Sequence, residues 1–395
     1  MKEHLKYILR EKPLMLEDLN ERENELSAVI SNSKFLVLGG AGSIGSAVVK
    51  EVFKRLPMKL HVVDLSENNL AELVRDIRNS YGFIDGDFKT FALDIGSSLY
   101  DLFIEEDGDY DYVLNLSALK HVRSEKDKFT LMRMIEVNVL NTIKTIEQSS
   151  QKGVKKYFCV SSDKAANPTN MMGASKRIME LAIESFSDKI NVSTARFANV
   201  AFSDGSLLNS FENRIRKNQG IVAPLDIERY FMTSEEAGQL CLLSCIFGNN
   251  LEVFFPRTNE KFRLTSLSKI AANFLKTNGF DPIIFHSEKD FLNYKFNNSK
   301  SWPLYLSKSN TSGEKPFEEF YTENEHVDFS RFHDIGILTL NGLKDSLVGL
   351  DEFIVEISNL TNKKSFDRVN IIDLFESILP SFQHDRINKF LDEKI

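Results

Sequence analysis

This chain of 395 residues is short of the features that mark several whole classes of protein. It holds three cysteines, Cys159, Cys241 and Cys245, each in an apolar setting. That excludes a disulfide framework and fits buried thiols in a reduced compartment. Its seven histidines stand apart from one another and from the cysteines, so no metal site is expected. No apolar run approaches the roughly 18 residues that a membrane-spanning helix needs. The first dozen residues carry charges throughout and lack the apolar centre of a signal peptide. Basic residues never run longer than a pair and the net charge is −8, which argues against a nucleic-acid partner. A soluble, cytoplasmic protein with no membrane span is expected.

What is present is an alternation of short apolar runs and helical stretches. Phe35-Leu36-Val37-Leu38, Leu60-His61-Val62-Val63, Tyr112-Val113-Leu114-Asn115-Leu116 and Lys156-Tyr157-Phe158-Cys159-Val160 read as strands, with helices between them around residues 66–79 and 133–151. This pattern predicts an α/β fold built on a doubly wound parallel sheet of Rossmann type. Past residue 200 the alternation weakens, although 252–256 and 282–285 still read as small strands. The expected division is a helical N-terminal extension over 1–32, a dinucleotide-binding domain over 33–200, a smaller interleaved substrate-binding region over 201–335 and a helical extension over 336–395. Amphipathic stretches at both ends have no evident place in such a core, so a homo-oligomer is expected.

The first strand runs directly into Gly39-Gly40-Ala41-Gly42-Ser43-Ile44-Gly45, and a small-residue helix follows. Backbone amides at such a helix start can bind a pyrophosphate, which makes Gly39, Gly42, Ser43, Ile44 and Gly45 cofactor-binding candidates. Glycines also serve tight turns, so the motif gains its force from context: strand before, helix after, and Asp64 ending the next strand. Asp64 suits the 2′-hydroxyl of a ribose, and no arginine follows it, which favours NAD over NADP. Asp94 and Ile95, after the third strand, are placed to meet the adenine.

Residues 160–177 read Val-Ser-Ser-Asp-Lys-Ala-Ala-Asn-Pro-Thr-Asn-Met-Met-Gly-Ala-Ser-Lys-Arg. An ionisable pair, Asp163 and Lys164, thus follows a strand, and Lys176 follows on a helix. With Asn115-Leu116-Ser117-Ala118-Leu119-Lys120-His121-Val122, Arg196-Phe197-Ala198-Asn199-Val200, Arg229-Tyr230-Phe231-Met232-Thr233 and Gly313-Glu314-Lys315, this stretch resembles the extended short-chain dehydrogenase/reductases of polysaccharide biosynthesis, specifically the UDP-N-acetylglucosamine 4,6-dehydratase group. The resemblance covers roughly residues 33–330.

The resemblance implies an NAD(P)-dependent enzyme acting on a UDP-sugar. A hydride leaves C4, a proton leaves C5, hydroxide leaves C6, and the hydride returns to C6. It implies Asp163 as the acid at the C6 hydroxyl and Lys164 as the base at C5. That base must be neutral, which burial and a neighbouring Lys176 or cofactor charge would encourage. Ser161 or Ser162 would hold the sugar, and Lys176 the nicotinamide ribose. Ser117 and Ala118 would border the cofactor. Lys120, His121, Asn199, Arg229 (at the diphosphate) and Glu314 would border the substrate. Met172 departs from the Tyr-x-x-x-Lys pattern of many relatives. A thioether cannot take the C4 hydroxyl proton, so Asp163 acting through a water is the first candidate for that task. The rival readings are a nucleotide-sugar epimerase or reductase in the same fold, and a non-catalytic NAD-binding regulator.

Overall fold

The computed structural model describes residues 2–295, 300–309, 313, 315–340, 344–362 and 366–384. Nine strands form the main sheet: β1 (Lys34–Leu38), β2 (Lys59–Asp64), β3 (Asp87–Ala92), β4 (Tyr112–Asn115), β5 (Lys156–Ser162), β6 (Asn191–Phe197), β7 (Glu252–Pro256), β8 (Val327–Asp328) and β9 (Ile335–Thr339). Their order is β8-β9-β7-β6-β5-β4-β1-β2-β3, parallel from β3 through β7 and antiparallel at β9 and β8. The four apolar runs read from the sequence are β1, β2, β4 and β5. β1, β4 and β5 are almost wholly buried, as central parallel strands covered on both faces must be.

The strand order reverses between β1 and β4, a switch point of the kind at which open α/β sheets bind ligands beyond the carboxyl ends of their strands. The glycine loop leaves β1, residues 116–121 leave β4, and residues 163–165 leave β5 in a 3₁₀ turn. One edge of one sheet therefore gathers the three motifs that the sequence keeps about eighty and forty residues apart.

The sheet does not stop at residue 200. β7, β8 and β9 extend it, so the boundary drawn there divides segments that interleave. A separate three-stranded sheet of Ile221–Pro224, Ser301–Ser307 and Asp281–Phe285 builds its own apolar cluster with the helix Leu267–Thr277. The expected helix over 133–151 is broken by a π-helical turn at Glu136–Leu140.

Helices near both ends of the described residues pack against the rest of the chain. The helix Leu16–Ser31 puts Leu19, Leu26 and Ile30 into the main core. Its buried Asp18 accepts the backbone amides of His333 (2.6 Å) and Asp334 (3.0 Å), and Arg10 makes a two-pronged ion pair with buried Glu236. The helices Lys344–Asn362 and Arg368–Ile378 bury Phe353, Ile357, Ile371 and Phe375 against Met134, Ala174 and Ile178. The helical piece expected at the extreme C-terminus lies outside the described residues. Among the described residues, no helix is long and apolar enough to cross a membrane.

Candidate active site

The glycine loop has a division of labour. Gly39 has φ +69°, and a Cβ there would lie 2.7 Å from the amide nitrogen of Ser117. A Cβ on Gly45 would lie 2.1 Å from the Gly39 carbonyl oxygen. These two glycines let β4 and the helix Ser43–Phe53 close onto the loop. Gly42, at the N-cap, has only the Gly39 oxygen within reach, at 3.6 Å, so the space before the helix start is open. No acidic residue stands in the first turn. Open space before unpaired amides fits a dinucleotide pyrophosphate.

Asp64 supports this loop directly: its carboxylate accepts from Ala41 N at 3.0 Å and Ser66 N at 2.9 Å. The Ser43 hydroxyl accepts from Asp204 N at 3.0 Å, which ties a later loop to the same place. Ile44 and Ile95 pack on the main core. Asp94 accepts from Gly96 N and pairs with Arg133 at 3.2 Å. Ser117 is half-buried and Ala118 exposed. Asn138 links the next loop residue, Leu119, to α-helical Ser175: it accepts from Leu119 N (2.9 Å) and donates to Leu119 O (3.0 Å) and Ser175 Oγ (3.0 Å).

Asp163 is buried at 4% exposure, and its Oδ1 accepts from Ser162 Oγ (2.9 Å) and Lys164 Nζ (3.0 Å). Lys164 Nζ also stands 3.6 Å from Oε1 of Glu318, itself 4% exposed. Burial works against the Lys164 charge, but Asp163 and Glu318 outweigh it and hold its pKa above the ordinary lysine value. Burial by itself therefore does not make this lysine neutral, because two carboxylates face it. Burial does pull Lys176 down, to about 8; its Nζ donates to Val160 O at 3.0 Å.

Neighbouring serines part company because successive strand residues face opposite sides of the sheet. Ser162 turns to Asp163, whereas Ser161 donates to buried Glu180 at 2.7 Å. Ser161 thus bonds the carboxylate that pairs with Arg196. Arg229 is buried, and its Nη1 donates to the backbone oxygens of Glu228 (2.8 Å) and Pro316 (3.0 Å), which fastens the segment carrying Glu318.

Met172 is buried in the apolar cluster of the helix Met171–Ser185 and the C-terminal helices. The next residue must be small, since a Cβ on Gly173 would lie 2.5 Å from Lys164 O. Asn170 caps this helix by accepting from Gly173 N, and its Nδ2 donates to Gly313 O at 2.9 Å. The Asn-Pro-Thr-Asn and Gly-Glu-Lys motifs thus meet, although Glu314 lies outside the described residues. Lys120 is exposed, and His121 is half-buried with Gly205 packed on its ring. Asn199 is half-buried in a two-residue strand paired with Phe231.

Sequence reasoning missed Glu318. The chain offers adjacent Glu318 and Glu319, and only the fold shows that Glu318 turns inward while Glu319 is exposed and accepts from Asn167. A cavity of about 540 Å³, lined by Asn167, Tyr230, Phe317, Phe320 and Tyr321, adjoins Glu318.

Comparison with known proteins places the chain in a family. The capsular polysaccharide biosynthesis protein CapD of Staphylococcus aureus is 28% identical over 304 residues, covering 76% of this chain and 47% of that one. This chain thus spans about half the length of that relative. The UDP-N-acetylglucosamine 4,6-dehydratase (inverting) of Campylobacter jejuni is 24% identical over 288 residues, covering 68% and 82%. Among solved structures, Pen from Bacillus thuringiensis shares the fold with a TM-score of 0.64 at 24% identity, covering 79% of this chain and 89% of that one. DesIV, the dTDP-glucose 4,6-dehydratase of Streptomyces venezuelae, solved with NAD and TYD bound, gives a TM-score of 0.57 at 16% identity, covering 72% and 87%. The polysaccharide biosynthesis protein family matches residues 35–339, and this chain belongs to that family.

Proposed function

We propose that the chain is a nucleotide-sugar 4,6-dehydratase that acts on UDP-N-acetylglucosamine or a close analogue, with NAD, for a surface glycan made from a cytoplasmic precursor. The observation that carries this reading is the buried Asp163 joined at 3.0 Å to Lys164 at the carboxyl end of β5. Elimination beside a ketone needs an acid for the leaving hydroxyl and a base for the α-proton, and the two lie next to each other.

The open front of Gly42, the amides of Ser43 and Ile44, and Asp64 would hold the dinucleotide. Bound there, NAD would supply a hydride acceptor for C4 and a hydride donor for C6. Asp163 protonates the C6 hydroxyl, which leaves as water. Lys164, once neutral, takes the C5 proton. Met172 forms an apolar wall and moves no proton, and Asp163, through a water, serves the C4 hydroxyl. Residues 33–200 hold the cofactor, and much of 201–335 covers the sugar nucleotide.

A 4-epimerase is the second reading, since the UDP-glucose 4-epimerase of Rickettsia bellii is 29% identical over 245 residues. Met172 disfavours it, because a thioether has no proton to exchange at C4. Incubation with UDP-N-acetylglucosamine and mass spectrometry separates the two. The dehydratase reading expects loss of one water, and epimerisation leaves the mass unchanged.

A further inference from the structure

Glu318 is a buried carboxylate that the proposed chemistry does not use. It reaches the site from a segment more than 150 residues beyond Asp163, and the fold holds that segment in place deliberately. Arg229 Nη1 and Glu228 N both donate to Pro316 O, at 3.0 Å each, and Asn170 and Thr169 both donate to Gly313 O. Glu318 Oε1 then stands 3.6 Å from Lys164 Nζ, on a lysine already bonded to Asp163 at 3.0 Å.

We infer that Glu318 is a positioning residue: it holds Lys164 beside Asp163 and sets the pH at which Lys164 is free to act as a base. The inference rests on the dehydratase reading for the role of Lys164, but the geometry stands without it. The charged groups facing Glu318 are Lys164 and Asp163 from the turn after β5, Arg229 from the strand Glu228–Arg229, and Lys315 from its own segment. Lys164 and Arg229 thus face two buried carboxylates, Asp163 and Glu318. Burial raises the pKa of Glu318, Asp163 raises it further, and Lys164 and Arg229 oppose both. If Glu318 is neutralised, two cations face Asp163 alone, so Lys164 gives up its proton more readily.

The test uses the full chain and compares Glu318→Gln with Glu318→Asp. With UDP-N-acetylglucosamine as substrate, kcat should rise with pH as Lys164 loses its proton. In Glu318→Gln that limb should move to a proton concentration about tenfold higher or more, the scale on which a nearby charge shifts a titration. Glu318→Asp keeps the charge and should move it less, and NAD affinity should stay the same in both. Superimposable limbs for Glu318→Gln and the unsubstituted enzyme overturn the inference. So does an equal shift in Glu318→Asp, which would assign the effect to packing.

A second readout needs no turnover. Acylation of Lys164 against pH, followed by peptide mass spectrometry, should have its midpoint above that of the exposed Lys217 in the unsubstituted protein and should fall in Glu318→Gln. A Lys164 midpoint at or below that of Lys217 overturns the inference even where Glu318→Gln does not fold. An unsubstituted protein that acylates as expected but removes no water from the sugar nucleotide sinks the dehydratase reading and leaves Glu318's hold on Lys164 intact.

Discussion

Ser161 and Glu180 are joined by a buried hydrogen bond, hydroxyl to Oε1 at 2.7 Å, on a carboxylate that also pairs with Arg196 at 2.9 Å. Burial alone would raise the Glu180 pKa, but Arg196, Arg177 and Ser161 together draw it down to about 2. Ser161→Ala removes one bond to a buried charge and should cost about 1.5–3 kcal/mol of stability, measured by denaturant unfolding. KM for the sugar nucleotide should not change. A tenfold rise in KM at unchanged stability would return Ser161 to the substrate. Because the Glu180 pKa is depressed on folding, its stabilisation is complete above the ordinary carboxyl value of about 4.3 and is lost as pH falls toward 2. An acid-unfolding midpoint that does not rise in Glu180→Gln would contradict this.

Lys164→Met should abolish water loss and solvent-deuterium exchange at C5 while NAD still binds. Removal of a positioned base costs roughly 10²–10⁴ in rate, so residual activity near the unsubstituted level would disqualify Lys164 as the base.

Asp64→Ala should weaken NAD binding more than NADP binding, because a carboxylate bonds a 2′-hydroxyl and repels a 2′-phosphate. The same change removes the acceptor for Ala41 N, so thermal stability should also fall slightly. Tighter NADP than NAD binding by the unsubstituted protein, measured by titration, defeats the assignment.

Met172→Leu should keep much of the activity, since volume-conserving apolar swaps usually cost under about 1.5 kcal/mol. Asp163→Asn should remove nearly all of it. Equal inactivity of the two, with both folded and cofactor-bound, would mean that the thioether does more than wall the site.

The sequence by itself determined the parallel sheet, because buried central strands need the unbroken apolar runs at 35–38, 60–63, 112–116 and 156–160. It also determined the glycine loop, since the tight approaches at Gly39 and Gly45 exclude every larger residue. Both are local constraints, written within a few residues of one another. What only the tertiary structure decided depends on long-range contact. Alternation along β5 sent Ser161 and Ser162 to opposite faces, and the Pro316 tether brought Glu318 to Lys164, where with Asp163 it holds the lysine pKa up. Amphipathic helices near both ends, which looked unpartnered, proved to pack into the core. Leu26 and Phe375 bury themselves against residues far along the chain, and no periodicity within a helix names the surface that will cover it.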